Sequence, residues 1–329
     1  MGSTVSTAST PNQPPAKSGT ALREYSRLTK VGLNTMVVGT TCAGFLLASG
    51  ARVDWMLLGW TLLGTALAAL GASGLNQWLE RHRDARMHRT RSRPLPARRL
   101  PSGQALAVAG ALALGGDLLL AVQVNALTAL LALIVQLVYL GMYTPLKPRS
   151  TLSTLLGGIC GALPPMMGFS AATGRLEPAA WLLGALLFAW QIPHFLALAW
   201  MYRRDYLRGG YRMLPMLDES GRLNFTMLLI YTLALLPLGL APVLVGLGGW
   251  TYALGSLLLG MLMVWLSLRL NRNRSERDAR RVFLASVIYL PLVLILLVAD
   301  HRGLTGAATE PSEAAPLAAA GVQYREGPR

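Results

Sequence analysis

Asn76, Glu80 and Asp84 fall four residues apart in NQWLERHRDARMHRTRSRPLP, residues 76–96. On a helix this spacing puts one amide oxygen and two carboxylates on a single face. Successive members then lie about 6 Å apart along the axis. Such a row suits a hard cation. Mg²⁺ is commonly held by one or two carboxylates together with substrate phosphates. Arg81, Arg89, Arg91 and Arg93 lie among and after these residues, and guanidinium groups pair with phosphate oxygens, bidentately where geometry allows. No Walker A sequence occurs, which argues against a nucleoside triphosphate as the anion. The same residues also read as an ordinary amphipathic helix end with Glu–Arg pairs along it. Pattern alone leaves both readings open.

Further polar groups gather elsewhere. Asp205 in YRRDYLRGG is a natural partner carboxylate for a second Mg²⁺, or a surface residue paired with Arg203 or Arg204. In YTPLKPRST, Lys147 and Arg149 are placed to reach phosphates, with Tyr143 lining the pocket. His194 in QIPHF lies within an apolar run beside Pro193, where a polar group needs a partner. It reads as a site residue or as a satisfied core histidine. GGICGALPPMMGF combines small residues with paired prolines, a pattern that packs helices closely and kinks them. Asp117 has no functional account. Cys42 and Cys160 read as small packing residues.

These groups need elements to position them. The chain of 329 residues is 53% hydrophobic and 14% charged, against about 25% charged in soluble domains. Its charge is confined to short stretches between long apolar runs. Spanning a bilayer takes roughly 20 apolar residues, and the backbone within must bond internally, as helices do. Nine spans are expected at Val31–Ser49, Trp55–Gly74, Ala105–Val122, Ala126–Tyr143, Leu152–Ala172, Pro178–Trp200, Phe225–Gly246, Trp250–Leu270 and Val282–Ala299. The second and sixth are candidates to run on as helices into the polar stretches behind them. The fold class is an all-α polytopic membrane bundle. Residues 1–24 and 301–329 read as disordered tails around one transmembrane domain, 25–300.

With the N-terminus in the cytoplasm and the C-terminus outside, 25 of the 30 Lys and Arg lie on the inner side, as the positive-inside rule requires. Topology and the lipid bilayer then account for the net charge of +15 without nucleic acid. The clusters after spans 2, 4 and 6 emerge on that one face, as a single site between helices would. A transporter would instead place its ions near the midplane, between broken helices.

The motif N-x-W-x-E-R-x-x-D-A-x-M-x-R-T-x-x-R-P-L, beginning at Asn76, resembles the first acidic motif of the UbiA superfamily of intramembrane prenyltransferases. More narrowly it resembles the haem-farnesylating branch. YSRLTK, YTPLKPRST, GGICGALPPMMGF and WQIPHFLALAWMYRRDYLRGGYRMLPML resemble that branch too, in the same order, from about Tyr25 to Ala299. The resemblance implies a UbiA-type bundle that transfers farnesyl from farnesyl diphosphate to a vinyl group of haem b. The product would be haem O, made with Mg²⁺ in a bacterial cytoplasmic membrane for terminal oxidases. A quinone-precursor prenyltransferase is the alternative within the superfamily, and a haem carrier the alternative outside it. The resemblance makes Asn76, Glu80, Asp84 and Asp205 metal and diphosphate ligands. Arg89, Arg93, Lys147, Arg149 and Arg204 become diphosphate or propionate contacts, and Arg81 and Tyr143 substrate contacts. His194 becomes a haem contact, as iron ligand or ring neighbour. Haem A synthase or oxidase assembly factors are the protein partners it brings to mind. Gly209 stands four residues after Asp205, so a second DxxxD is missing.

Overall fold

The computed structural model describes residues 18–309, and the side chains of residues 21–301. In chain order its helices are α1 (Ser18–Leu28), α2 (Val31–Ala48), α3 (Trp55–Asp84), α4 (Ser102–Gln123), α5 (Ala126–Gln136), α6 (Thr144–Leu146), α7 (Ser153–Thr173), α8 (Pro178–Met201), α9 (Arg203–Arg208), α10 (Leu214–Leu217), α11 (Arg222–Leu244), α12 (Trp250–Asn273) and α13 (Glu276–Thr309). Among the described residues nine helical segments are long and apolar enough to cross a membrane, and they match the nine expected spans in order. Their outward faces carry Leu114, Leu118, Val122, Ile288 and Ile295, all exposed, as hydrocarbon surroundings favour.

Helix starts follow local chemistry. Asp54 caps α3 by accepting from the Leu57 N–H at 2.9 Å, and Asn125 caps α5 through the Thr128 N–H at 2.8 Å. Pro178 opens α8 at a position that needs no N–H donor. Small residues then let helices touch. A Cβ at Gly71 of α3 would meet the Ala113 backbone of α4, and one at Gly168 of α7 would meet the backbone of Thr41 in α2. Without an extra hydrophobic drive between helices in lipid, such close backbone approach is what holds them. The main core fills the space between α8, α11, α12 and α13 around Leu186, Phe225, Tyr252 and Tyr289.

Helix α3 does run on past its apolar part, through Asp84. Helix α8 does not: it stops at Met201, and Tyr202 at φ −110°, ψ 20° turns the chain into the separate short α9. The expected span Ala126–Tyr143 is α-helical only as far as Gln136. Residues Leu137–Tyr143 form a π-helix before α6. Such wide turns are frequent at functional sites. This one stacks Tyr139 on Tyr143 with ring centroids 5.5 Å apart.

Two boundaries differ from expectation. Helix α1 begins at Ser18, inside the segment expected to be structureless, because Glu24 and Gln77 tie it to its neighbours: Gln77 donates to the Arg27 and Leu28 carbonyls, and Glu24 pairs with Arg27 and Arg99. Helix α13 continues to Thr309, past the expected end of the domain. The rest of both expected tails lies outside the described residues.

Candidate active site

The last three turns of α3 carry the acidic row. Asn76, Glu80 and Asp84 are all buried, at 0%, 5% and 1% exposure. None pairs with an arginine along its own helix. Asn76 Oδ1 accepts from Lys30 Nζ at 2.9 Å, and its Nδ2 donates to Thr144 Oγ1 at 3.0 Å. Glu80 Oε1 meets Lys147 Nζ at 2.8 Å. Asp84 Oδ2 meets Arg93 Nη1 at 2.7 Å, while its buried Oδ1 has no hydrogen-bond partner. The helix-end reading therefore fails. Three cations from three other segments converge on one buried face, and one carboxylate oxygen is left open.

The turn between α1 and α2 puts Lys30 in the left-handed region at φ 51°, rare for a side chain of its kind. Burial pushes the Lys30 ammonium down to about 7, with Arg93 and Lys147 adding to the effect against Glu80 and Asp84. Burial acts on Lys147 in the same direction, but the Glu80 carboxylate prevails and holds it well above its usual value. The Lys147 ammonium also lies 4.3 Å from the Tyr143 ring centroid and 5.9 Å from that of Tyr211. Tyr211 is itself raised, first by burial and then by the Glu80 charge.

Backbone bonds lock the loops around this centre. The Arg212 N–H donates to the Lys147 carbonyl at 2.9 Å. Arg83 Nη1 donates to the Gly209 and Gly210 carbonyls at 3.2 and 3.4 Å. Gly210 stands at φ 71°, which glycine tolerates best. Lys30, Arg83, Thr144 and Tyr211 were not singled out from the sequence. Each lies inside a stretch quoted above, Lys30 as the last residue of YSRLTK, but residue type alone did not mark it out.

Asp205 stands apart. Its oxygens accept from the His88 and Arg89 backbone N–H groups, each at 2.9 Å, with Arg208 at 3.6 Å. Burial alone would raise this carboxyl, but those bonds and charges lower it. Among the described residues no three His, Cys, Asp or Glu side chains gather in a way that could hold a metal ion. Through these bonds Asp205 anchors the loop after α3. Arg89 lies over Tyr202 and Tyr206, at 5.2 and 5.8 Å from the ring centroids. Arg81 turns back onto Trp78, donating to its carbonyl at 2.7 Å. Arg149 and Arg204 are exposed. His194 lies deeper, on α8, with Nδ1 2.8 Å from Ser286 Oγ and its ring against Trp190 and Phe283.

The UbiA prenyltransferase family profile matches residues 37–288. The chain belongs to the UbiA prenyltransferase family. Over 292 residues it is 41% identical to a protein of Solibacter usitatus (strain Ellin6076) named protoheme IX farnesyltransferase, an alignment covering 86% of this chain and all of that one. The fold agrees with a solved digeranylgeranylglyceryl phosphate synthase, TM-score 0.73 at 15% identity, covering 86% of this chain and 99% of the other. It agrees also with a UbiA homolog from Archaeoglobus fulgidus bound to GPP and Mg²⁺, TM-score 0.57 at 14% identity, covering 84% and 99%. This UbiA chain is an integral membrane prenyltransferase of the all-α bundle type. One oxygen of the acidic row has the chemistry a Mg²⁺ ion could use. The open Asp84 Oδ1 is a buried anionic oxygen with no donor, and hard oxygen ligands are what Mg²⁺ takes.

Removing one member of a buried pair strands the other, at roughly 3–5 kcal/mol. Lys147→Met should therefore lower the thermal midpoint of the detergent-purified protein strongly. Adding Glu80→Gln should restore most of that loss, because no charge is then stranded, while activity stays lost. A double variant no more stable than Lys147→Met would show that the pair is not the source of the effect.

Proposed function

We propose that this chain transfers the farnesyl group of farnesyl diphosphate to a vinyl group of haem b, giving haem O, with Mg²⁺ on the diphosphate. The observation that carries this is the buried row of Asn76, Glu80 and Asp84, opposed by Lys30, Lys147 and Arg93, with Asp84 Oδ1 open. Haem as acceptor, in preference to a quinone precursor, is supported by the named activity of the Solibacter relative.

Glu80 and Asp84, with the amide of Asn76, would hold the ion. When bound, Mg²⁺ neutralises the diphosphate and makes it a leaving group. Lys30, Lys147 and Arg93 lie ready to take diphosphate oxygens, already oriented by the groups they now pair with. Preorganised cations in a water-poor site are worth most as charge develops. The exposed Arg89, Arg149 and Arg204 are placed for the diphosphate or the haem propionates. Arg81, held on Trp78, is the least suited of the arginines. Tyr143 faces the Lys147 ammonium and walls the reacting end. His194 is a neighbour of the haem ring. Asp205 contributes by fixing the loop that carries Arg89 and Arg93.

In this reading the protein sits in a bacterial cytoplasmic membrane with its N-terminus and the 81–99 loop in the cytoplasm. The inner excess of Lys and Arg supports that orientation. Cysteines placed singly at Ser92 and Thr173 in cells test it with an impermeant reagent added outside. Labelling at Thr173→Cys alone is expected, and labelling at Ser92→Cys alone would reverse the topology.

Purified protein with haem b, farnesyl diphosphate and Mg²⁺ should yield haem O by mass analysis. Farnesylation of 4-hydroxybenzoate but never of haem would show the acceptor to be wrong. Asp84→Asn keeps size and removes a charge, and should slow turnover by roughly 10²–10³. Arg98→Gln, exposed on the same loop, should change little.

A further inference from the structure

Three prolines lie inside the facing helices α7 and α8: Pro164, Pro165 and Pro193. A proline has no N–H, so the carbonyls of Cys160, Gly161 and Ala189 each lack the donor four residues on. Gln191 arrives from α8 at this same place. Gly161 has no Cβ, and one there would overlap the Gln191 amide. Gln191 is only 9% exposed, and its Oε1 is buried without a hydrogen-bond partner. An amide oxygen and uncapped carbonyls in apolar surroundings are the setting in which a water is retained, since it needs two to four polar partners.

The place has a definite depth. One turn nearer the charged cluster along α7, Gly157 lies beneath the rings of Tyr143 and Phe195. Tyr143 in turn faces the Lys147 ammonium. The Gln191 amide is therefore on the order of 6 Å further into the bundle than the tyrosine wall. His194 follows Gln191 by three residues on α8. Ser286 Oγ donates its hydrogen to the Phe283 carbonyl at 2.7 Å. The tautomer with the proton on His194 Nδ1 makes the 2.8 Å Ser286 contact a hydrogen bond at the same time. Nε2 then keeps a lone pair.

We propose that Gln191, with the carbonyls freed by Pro164 and Pro165, holds the water that ends the transfer reaction, and that His194 Nε2 receives its proton. This rests on the farnesyl-to-vinyl reading above. When the terminal vinyl carbon bonds to C1 of the farnesyl group, the adjoining vinyl carbon beside the porphyrin becomes electron-deficient. A water donating one hydrogen to Gln191 Oε1 or a freed carbonyl and the other to His194 Nε2 keeps a lone pair for that carbon. Its oxygen supplies the electron pair of the new C–O bond. One proton leaves and ends on His194 Nε2, giving a neutral alcohol and an imidazolium. Where no water is held, the same cation discharges by losing a proton from the adjacent carbon. The product is then an alkene lighter by one water.

Product masses read the difference directly. Gln191→Met keeps length and removes the amide. With haem b, farnesyl diphosphate and Mg²⁺ it should still release diphosphate. Its ratio of hydrated to dehydrated farnesyl-haem should fall on the order of tenfold, the change expected from losing about 1.4 kcal/mol of preference. Gln191→Glu retains an acceptor oxygen and should restore the hydrated product. Should Gln191→Met fail to accumulate as folded protein, Gly161→Ala displaces the amide from its seat and should shift the ratio the same way. A wild-type ratio in Gln191→Met, or in Gly161→Ala where that is the variant that folds, overturns the proposal alone. A wild-type enzyme that makes no farnesylated haem overturns the functional reading, and the proposal with it.

Discussion

Charged groups taken out of water at a membrane edge must be paired, or they unfold the site that holds them. That constraint organises this protein. Glu80 and Asp84 are buried on α3, and each is matched by a cation from another segment, Lys147 after α6 and Arg93 in the loop after α3. Lys30, before α2, completes the ring through Asn76. Four stretches of chain must therefore meet in one arrangement for the charges to be tolerated. The same cations that pair with these groups are the ones a diphosphate needs. Binding would exchange partners without first assembling a site, which is what preorganisation means in energetic terms.

The surrounding structure serves that exchange. Asp205 gives both its oxygens to backbone N–H groups of the loop after α3, so the second half of the chain holds the first half's arginines in place. The Arg212 N–H bound to the Lys147 carbonyl ties the two remaining loops together. Below the charges, the π-helix turns Tyr139 and Tyr143 into a stacked wall, and the small residues of α7 let aromatic and amide side chains approach the backbone. Polarity thus falls with depth, from a charged mouth through tyrosines to isolated amide and imidazole groups among apolar helices.

Much of this was legible in the sequence. The spans follow from length and apolarity, and the row of Asn76, Glu80 and Asp84 from a periodicity of four that survives the end of the apolar run. Lys147 and Arg93 were legible as basic residues near that row. What they pair with was not, since Lys147 meets Glu80 across 67 positions and Lys30 meets Asn76 across 46. Asp205 was legible as a carboxylate in a basic cluster, but its bonds to the His88 and Arg89 backbone N–H groups were not, since no residue type announces them. The π-helix was hidden because it has no composition of its own. The Arg83 contact with the Gly209–Gly210 turn likewise exists only through tertiary packing across 126 positions or more.

The central claim is that the acidic row and its cations form one metal–diphosphate site. Mn²⁺ in place of Mg²⁺ makes the metal visible by its effect on phosphorus relaxation. Purified protein would be given a non-ionising farnesyl thiodiphosphate, and bound phosphorus signals followed with and without Mn²⁺. The account predicts metal-dependent binding with strong broadening of both phosphorus signals, and loss of that broadening in Asp84→Asn. Binding equally tight without metal, and unchanged in Asp84→Asn, would contradict it.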